Sequence, residues 1–248
     1  MKTLTGKSCI VTGASRGIGR AIAERLGRDG ASVIVNYFQN AEAAHAVAST
    51  IKASGGCGVP VKGDVGKSED VRRLFDAAAD RFGKIDILVN NAGIAVARKC
   101  PVAEVSDDVF DRLFAVNTRG VFSALREGAR RIADHGRIIT LSSTVVSMAL
   151  PGYGIYAATK AAVEVLTRIL SKELGDRNIT VNAVAPGPVD TDLFNAGKTE
   201  AVKQQMADMC PLHRLGRPED IANVVAFLVS DQGGWVNGQI VRANGGMV

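Results

Sequence analysis

Short apolar runs alternate with helix-forming segments along nearly the whole chain, and this alternation restricts the possible folds more than any other feature. Successive parallel strands need a crossover between them, and that crossover is usually a helix. The pattern therefore predicts an α/β fold, namely a single-domain, Rossmann-type, doubly wound parallel sheet of about seven strands flanked by helices. We expect the strands at residues 8–12, 31–35, 58–62, 85–89, 137–143, 179–185 and 240–242.

The composition agrees with one domain. The chain has 248 residues, of which 46% are hydrophobic and 22% are charged, so one large core can be buried. No linker, repeat or low-complexity segment divides the sequence, and we expect a single domain over residues 1–248. No apolar run reaches about 18 residues, and the chain enters its first strand pattern without a signal peptide. We therefore expect a cytoplasmic protein without a membrane segment.

The charged residues and the potential metal ligands argue against a nucleic-acid-binding protein and against a metalloprotein. The formal net charge is +5, but the basic residues are scattered, so we expect no nucleic-acid partner. The mild positive balance could help to attract an anionic cofactor. The four cysteines have neither disulfide nor metal-ligand spacing, and the three histidines lie far apart without an H-E-x-x-H motif. We therefore expect reduced thiols and no metal site.

A glycine-rich turn follows the first predicted strand directly. Gly13, Gly17 and Gly19 give the spacing G-x-x-x-G-x-G, and a helical segment begins at Arg20. Such a turn lets backbone N–H groups approach a phosphate, and the helix N-terminus favours its negative charge. By itself a glycine-rich turn is weak support, but its place between strand and helix predicts dinucleotide binding.

The end of the second strand indicates which dinucleotide is preferred. Proteins that prefer NAD usually carry an acidic residue there, which binds the ribose hydroxyls. Here the residues are Asn36, Tyr37 and Phe38, and the first acid is Glu42. Arg16, within the glycine-rich turn, is able to reach a 2′-phosphate, although it could equally be a solvated turn residue. Both observations favour NADP(H).

Polar or small residues also follow the other predicted strands, at the edge where ligands bind in such sheets. Asp64 ends the third strand, where it either faces a ligand or caps the next helix. Asn91, Ala92 and Gly93 follow the fourth strand and permit close approach of the backbone, or form a plain turn. Asn117 lies within a long helical pattern over residues 106–132, where a buried amide needs partners.

A candidate proton-transfer site lies near the middle of the chain. Ser143 ends the fifth strand, and Tyr156 and Lys160 are four residues apart on the following helical segment, so they share a helix face. A neighbouring ammonium favours the phenolate and lowers a tyrosine pKa, which suits acid–base chemistry. Taken alone, this pair could also be an ordinary surface tyrosine and lysine.

Together these motifs resemble the short-chain dehydrogenases/reductases, most closely the 3-oxoacyl-(acyl-carrier-protein) reductases and related carbonyl reductases. The motifs occur in the order of that family and cover nearly the whole chain. They are Thr12-Gly13-x-x-x-Gly17-x-Gly19, Asp64, Asn90-Asn91-Ala92-Gly93, Asn117, Ser143, Tyr156-x-x-x-Lys160 and Pro186-Gly187 with Thr191.

The resemblance implies a role for each motif. Tyr156 would be the general acid that protonates a carbonyl oxygen, Ser143 would hold that oxygen, and Lys160 would lower the tyrosine pKa and bind the nicotinamide ribose. Asn117 would hold, through its backbone, a water that leads protons to Lys160. The implied cofactor contacts run from the pyrophosphate to the nicotinamide end: Gly13, Ser15, Arg16, Gly17, Ile18, Gly19, Asn36, Tyr37, Phe38, Asp64, Val65, Asn91, Ala92, Gly93, Pro186, Gly187, Val189 and Thr191.

One departure from the family pattern affects the expected substrate. Acyl-carrier-protein reductases tend to carry a basic residue at the position of Asp134, whereas a second basic position is kept as Arg177. An acidic carrier protein would be repelled by Asp134, which favours a small free ketone or aldehyde. The alternatives are 3-oxoacyl-(acyl-carrier-protein) reduction in fatty-acid synthesis and a non-catalytic dinucleotide-binding regulator.

Two expectations concern the architecture around the site. Residues 190–216 form either a substrate lid or two surface helices packed on the core. The resemblance further implies a homotetramer built on the helices around residues 106–132 and 156–174 and on the C-terminal segment. The expected partner is thus a small carbonyl or alcohol substrate together with further copies of the chain.

Overall fold

The computed structural model describes residues 3–96 and 99–248. Within these ranges, one parallel sheet of seven strands has the order β3-β2-β1-β4-β5-β6-β7, which confirms the predicted fold. The strands are β1 (Ser8–Val11), β2 (Ser32–Tyr37), β3 (Cys57–Lys62), β4 (Ile85–Asn90), β5 (Ile132–Leu141), β6 (Thr180–Pro186) and β7 (Ile240–Ala243). The order reverses between β1 and β4, and ligands bind in the crevice at such a switch point.

Helices cover both faces of the sheet. The α-helices are α1 (Gly17–Arg28), α2 (Ala41–Ala53), α3 (Ser68–Phe82), α4 (Asp107–Phe114), α5 (Val121–Arg131), α6 (Val145–Met148), α7 (Gly154–Glu173), α8 (Asp192–Asn195), α9 (Glu200–Asp208) and α10 (Pro218–Val229). Short 3₁₀ turns lie at Val102–Glu104, Gly175–Arg177 and Asp231–Gly233. One face carries α1, α2 and α10, and the other carries α3, α5 and α7.

Alternation along the central strands creates two separate cores. Cys9 and Val11 of β1 pack against the helices of the first face, whereas Ile10 of β1 and Ile34 of β2 pack against those of the second. Successive side chains of a strand point to opposite faces, so a buried strand needs a continuous apolar run. This requirement is the reason why the apolar runs could be recognised as strands.

Two elements differ from the sequence-based expectation. Strand β5 begins at Ile132 instead of 137, and its pairing with β4 is irregular between Ile132 and Arg137. His135 there has a φ of 63°, so the strand bulges and exposes polar side chains that carry no buried-strand pattern. The expected helix over residues 106–132 is divided into α4 and α5 by a π-helical turn at Ala115–Gly120.

Residues 190–216 leave and rejoin the body of the protein at one point. Val189 and Gly216 form a parallel bridge, and the Asp190 amide donates to the Gly216 carbonyl oxygen at 2.9 Å. The segment between them contains α8 and α9, whose first turns are capped by the Thr191 and Thr199 hydroxyls. The segment is therefore a closed loop, with both ends held together, that starts at the end of β6.

Candidate active site

The glycine-rich turn is held in a conformation that excludes side chains. Gly13 has a φ of 61°, and a Cβ there would lie 2.9 Å from the Ala92 Cα. A Cβ on Gly19 would overlap both the Asn91 Nδ2 and the Gly13 carbonyl oxygen. Gly17 has a φ of 53° and faces Thr191. Gly13 and Gly19 are thus required because the two strand ends and α1 meet there without space for a side chain, whereas Gly17 is favoured by its positive φ.

Thr12 and Asn91 join the two strand ends that flank this turn. The Thr12 hydroxyl accepts hydrogen bonds from the backbone N–H groups of Asn91 and Ala92, each at 3.0 Å. The Asn91 Nδ2 donates to the carbonyl oxygens of Thr12 at 2.9 Å and Gly13 at 3.1 Å. These bonds fix β1 relative to β4 at the switch point. Thr12 belongs to the sequence motif, but its role as the link became visible only in the structure.

The N-terminus of α1 is free to interact with an anion. Arg16 occupies the N-cap position with an extended backbone and makes no side-chain capping hydrogen bond, and the first turn of α1 contains no acidic residue. The first N–H groups of a helix lack partners within it and carry partial positive charge. Arg16 is exposed, and Ser15 and Ile18 are half-buried beside it. The turn therefore presents both backbone donors and a guanidinium.

Asn36 supports this turn from beneath. Its side chain is only 1% exposed, and its Oδ1 accepts a hydrogen bond from the Gly13 N–H at 3.0 Å. Its Nδ2 donates to the Gly63 carbonyl oxygen at 3.1 Å. Asn36 was expected as a direct cofactor contact, but its amide is committed to backbone groups, so it positions the turn. Tyr37 is half-buried and Phe38 is exposed, which leaves these two at the surface of the strand end.

Asp64 and Val65 lie beside the neighbouring strand end. The Asp64 Oδ1 accepts a hydrogen bond from the Gly66 N–H at 2.9 Å, which closes a turn of its own. It does not cap α3, the alternative considered from the sequence, because the N-cap residue of that helix is Lys67. Val65 is buried, and a Cβ on Gly120 would lie 2.9 Å from its carbonyl oxygen. The strand end therefore packs closely against the π-helical turn.

Ser143, Tyr156 and Lys160 lie together at the carboxyl end of β5. Tyr156 is in the first turn of α7, and the Ser143 hydroxyl is close enough to the Tyr156 hydroxyl to lower its pKa. Lys160 follows one turn later and is only 4% exposed, and its Nζ donates to the Leu141 carbonyl oxygen at 2.7 Å. The strand end and the helix thus bring two hydroxyls and one ammonium to one place, as the sequence spacing had indicated.

The pKa values of these groups differ from the expectation. Burial raises the pKa of Tyr156 above its ordinary value, and Tyr153 adds to this, although the nearby Ser143 hydroxyl opposes it. Burial also lowers the pKa of Lys160 to about 8. The expected lowering of the tyrosine pKa by Lys160 is not seen, because burial disfavours the phenolate and the ammonium is directed to Leu141.

The hydrogen bonds of Asn117 explain why this polar residue is buried in the π-helical turn. Its Oδ1 accepts from the Ile94 N–H and its Nδ2 donates to the Ile94 carbonyl oxygen, both at 2.9 Å. Its Nδ2 also donates to the Thr159 hydroxyl at 3.2 Å. A Cβ on Gly93 would lie 3.3 Å from the Asn117 Oδ1 and 3.5 Å from the Lys160 Nζ. The amide therefore fixes the loop after β4 against the first turns of α7.

The segment after β6 completes the edge of the crevice. The Gly187 N–H donates to the Ala243 carbonyl oxygen at 3.0 Å, and the Pro186 carbonyl oxygen accepts from the Thr144 N–H at 2.9 Å. Val189 is buried, and a Cβ on Gly17 would lie 3.4 Å from the Thr191 Cγ2. The end of β6 thus lies directly across from the glycine-rich turn, so the predicted contacts for both ends of a dinucleotide surround one crevice.

The charged pair used to judge carrier binding lies elsewhere. The Arg177 Nε donates to the Asp134 Oδ1 at 2.8 Å, and the Arg177 Nη1 donates to the Ala129 carbonyl oxygen at 2.7 Å. Both residues lie near the amino ends of β5 and β6, at the edge of the sheet opposite to Ser143. Arg177 therefore has a structural role that its basic charge alone had not indicated. Asp134 lies far from the crevice of its own chain.

Several residues near the site were not singled out from the sequence. The Ser142 hydroxyl donates to the Glu164 Oε1 at 2.6 Å, which ties the end of β5 to α7 below Ser143. Tyr153, at the N-cap of α7, contributes to the raised pKa of Tyr156. In the sequence, the pair of Ser142 and Glu164 could have been indicated only by the two adjacent serines and by the spacing of Glu164, four residues after Lys160.

The described residues offer neither a metal-binding cluster nor a membrane-spanning helix. Among residues 3–96 and 99–248, no group of three or more histidine, cysteine, aspartate or glutamate side chains has an arrangement suited to a metal ion. Within the same part of the chain, no helix has both the length and the apolar character needed to cross a membrane.

Known proteins are similar to this chain over almost its full length. The family model described as enoyl-(acyl carrier protein) reductase matches residues 13–248. A short-chain type dehydrogenase/reductase of Picea abies is 49% identical, covering 99% of this chain and 93% of that protein. A versicolorin reductase of Emericella nidulans is 43% identical over 98% of this chain and 96% of its own. The crystal structure of an angucycline C-6 ketoreductase with bound NADP is 40% identical, with a TM-score of 0.93 over 99% of this chain and 96% of that one.

These matches extend over almost the full chain, and they confirm the resemblance drawn from the motifs. The first match shares nearly half of its residues with this chain, and the solved structure shares its fold throughout. The chain therefore belongs to the short-chain dehydrogenase/reductase family of oxidoreductases.

Proposed function

We propose that this protein reduces a ketone or aldehyde to an alcohol with NADPH, with Tyr156 as the general acid. The observation that carries the proposal is the position of Ser143 and Tyr156 beside the buried Lys160, at the same edge of the sheet as the glycine-rich turn. A related ketoreductase has NADP bound in a structure that superposes on this chain. The proposal joins that chemistry to the residues of this crevice.

The crevice fits a dinucleotide that carries a 2′-phosphate. Gly13, Gly17 and Gly19 leave the backbone of the turn open, and α1 begins there without an acidic first turn. Tyr37 and Phe38 bring no carboxylate to the end of β2, where one would repel a phosphate, and Arg16 supplies a cation. Asp64, Val65 and Asn91 to Gly93 would then border the adenosine, and Pro186 to Thr191 the nicotinamide. The bound nicotinamide supplies the hydride.

Each catalytic side chain has a task in this proposal. The Tyr156 hydroxyl donates its proton to the carbonyl oxygen, and its raised pKa keeps it in the protonated form that a general acid requires. The Ser143 hydroxyl donates a hydrogen bond to the same oxygen and holds the carbonyl in place. The Asn117 side chain holds α7 against the loop that follows β4. Its backbone is then left to hold a water that relays protons.

Lys160 has the ionisation needed to return a proton to Tyr156. Its pKa of about 8 means that the ammonium is largely present at neutral pH and is lost in mildly alkaline solution. We expect kcat for ketone reduction, at saturating NADPH and ketone, to fall as the pH rises through about 8. Tyr156 has a raised pKa, so it stays protonated over this range and the fall reports on Lys160. A kcat that stays constant from about pH 7 to about pH 9.5 would contradict this relay.

Turnover of a substrate panel tests the reaction itself. The panel contains 2,3-butanedione, benzaldehyde and acetoacetyl-coenzyme A, and the loss of NADPH absorbance is followed with each. We expect turnover of the free carbonyl compounds. The description of the matching family model keeps carrier-linked acyl reduction as an alternative, and turnover of the thioester alone would favour it. Binding of NADPH without turnover of any compound would favour the non-catalytic regulator.

We further propose that residues 190–216 act as a lid over the substrate. Leu193, Leu212 and Met209 of this segment are exposed, whereas its base is fixed by the bridge between Val189 and Gly216. A closed loop with apolar side chains on its surface is suited to cover an apolar substrate.

We expect the protein to be a homotetramer. Val163 and Leu170 of α7 are buried in the core, but Val165 and Ile169 on the same helix are exposed, as is Phe122 of α5. At the C-terminal side Trp235 is 99% exposed, together with Phe227 of α10. Exposed apolar surfaces of this kind are typical of protein interfaces.

Light scattering at micromolar concentration measures the assembly. We expect a particle of about four times the 26.0 kDa chain mass. The variant Ile169→Lys places a charge on the exposed face of α7 and should yield smaller particles. Lys172→Glu, in the last turn of the same helix, serves as a charge-changing control. A wild-type particle of 26.0 kDa would contradict the expectation.

A further inference from the structure

Asn244 follows β7 directly, and both polar atoms of its side-chain amide are hydrogen-bonded. The residue is buried, and its Nδ2 donates to the Thr144 Oγ1 at 3.2 Å and to a backbone oxygen of Val248 at 3.3 Å. Its Oδ1 accepts a hydrogen bond from the Gly246 N–H at 3.1 Å. Because an amide donates and accepts at the same time, this residue joins the C-terminal turn to the loop that follows β5.

Thr144, the partner of this amide, is the residue immediately after Ser143. It is 3% exposed, its N–H donates to the Pro186 carbonyl oxygen at 2.9 Å, and its hydroxyl donates to the Ala185 carbonyl oxygen at 3.3 Å. The Asn244 Nδ2 donates to the oxygen of the same hydroxyl. The backbone of Ser143 therefore continues into a residue whose position is set by the end of β6 and by Asn244.

Asn244 also packs against the turn that follows β6. The Gly187 N–H donates to the Ala243 carbonyl oxygen at 3.0 Å, and a Cβ on Gly187 would lie 2.8 Å from the Asn244 Cα. Two residues before Asn244, the Arg242 Nη2 donates to the hydroxyl of Ser147 in α6 at 3.2 Å. The loop after β5 and the turn after β6 thus rest against the same end of β7.

The C-terminal turn packs on the end of the proposed lid as well. Gly245 and Gly246 have φ values of 66° and 86°. A Cβ on Gly246 would lie 3.2 Å from the Pro211 Cγ, and one on Gly245 would lie 3.5 Å from the Cys210 Cβ. The two glycines therefore let the backbone turn closely against the lid, and the Asn244 Oδ1 fixes this turn through Gly246.

We propose that Asn244 is a positioning residue for the reaction, and that through Thr144 it fixes the Ser143 hydroxyl relative to the turn at residues 186–187. The proposal rests on the proposed carbonyl reduction, in which Ser143 holds the carbonyl oxygen and this turn borders the nicotinamide. Hydride transfer requires the carbonyl and the nicotinamide in one geometry, so a small displacement of either lowers the rate. Asn244 maintains this geometry because it is buried and contacts both segments.

Kinetics in two backgrounds test this role. Asn244→Ala and Thr144→Val are each made in the wild type and in Ser143→Ala, and kcat for 2,3-butanedione is measured at saturating NADPH. We expect each variant to lower kcat about tenfold in the wild type but less than twofold in Ser143→Ala, because the effect passes through Ser143. Asn237→Ala is the matched control, because the Asn237 amide also binds backbone groups but lies before the start of β7, and kcat should stay unchanged.

Two kinetic outcomes would overturn the positioning role. A fall in kcat of equal size in both backgrounds would show that Asn244 supports the fold without acting through Ser143. An Asn244→Ala variant with the kcat of the wild type would show that the contact with Thr144 does not matter for the reaction. Thr144→Val leaves the bonds of Asn244 to the C-terminal turn in place, so it carries the kinetic test where Asn244→Ala does not fold.

Hydrogen exchange separates this proposal from the proposed function, because it needs no turnover. Mass spectrometry follows the peptides that contain the N–H groups of Thr144 and Gly187. We expect about tenfold faster exchange of both in Asn244→Ala and no change in Asn237→Ala. Unchanged exchange in Asn244→Ala would overturn the positioning role, even if ketones are reduced. If the wild type reduces no carbonyl compound, the proposed function fails, and faster exchange would still show that Asn244 fixes this loop.

Discussion

Replacing Tyr156 by phenylalanine should lower kcat for ketone reduction by about 10²- to 10⁴-fold, the range that general acid–base catalysis contributes. The hydroxyl lies close to that of Ser143, and burial keeps it protonated, so it is the group best placed to give a proton to the carbonyl oxygen. Phenylalanine keeps the ring that packs in the first turn of α7 but has no proton to donate. We therefore expect loss of turnover without loss of structure.

The binding of NADPH distinguishes loss of chemistry from loss of the site. The residues that hold the glycine-rich turn are Thr12, Asn36 and Asn91, and their hydrogen bonds do not involve the Tyr156 hydroxyl. Calorimetric titration should therefore give the variant an NADPH Kd within about threefold of the wild type. A kcat that also stays within about threefold of the wild type would show that Tyr156 is not the acid. Loss of NADPH binding would instead make the tyrosine a structural part of the cofactor site.

The fold followed from the sequence because strands buried on both faces leave a clear signal. Ile10 and Val11 enter different cores, so no polar residue interrupts such a run. The start of α10 was also predicted correctly, because Pro218 suits the first helical turn. In the structure, Asp220 accepts a hydrogen bond from the Arg217 N–H at 2.7 Å. The amino-terminal part of β5 was missed, since its bulge at His135 exposes polar side chains.

The contents of the site were harder to predict than its location. Strand ends of a parallel sheet meet at one edge, so the sequence placed Ser143 and the glycine-rich turn on the same side. Which atoms face the crevice depends on tertiary hydrogen bonds, and Asn36 turned out to serve the backbone of Gly13 and Gly63. The charge state also depends on burial, which reversed the expected direction for the Tyr156 pKa. Sequence spacing contains neither kind of information.

The choice between NADPH and NADH should depend chiefly on Arg16. This residue is exposed at the N-cap of α1, and among the described residues no carboxylate pairs with it. Hydrogen bonds to charged groups contribute about 1.5–3 kcal/mol, so Arg16→Ala should raise the KM for NADPH about 10- to 100-fold. The KM for NADH should change little, because NADH lacks the 2′-phosphate. Arg20→Ala is the matched control, because Arg20 lies one turn further along α1 and pairs with Glu24 at 2.8 Å.

The end of β2 provides the complementary test, and the structure identifies which residue to change. Asn36 is buried beneath the turn, so a substitution there would disturb Gly13, whereas Tyr37 is the half-buried residue at the strand end. Tyr37→Asp supplies a carboxylate that repels a 2′-phosphate and accepts hydrogen bonds from ribose hydroxyls, so it should weaken the use of NADPH and leave NADH equal or better. Steady-state kinetics with both cofactors on all four proteins measures these effects. A wild type that prefers NADH, or an Arg16→Ala variant that loses both cofactors equally, would show that Arg16 only supports the turn.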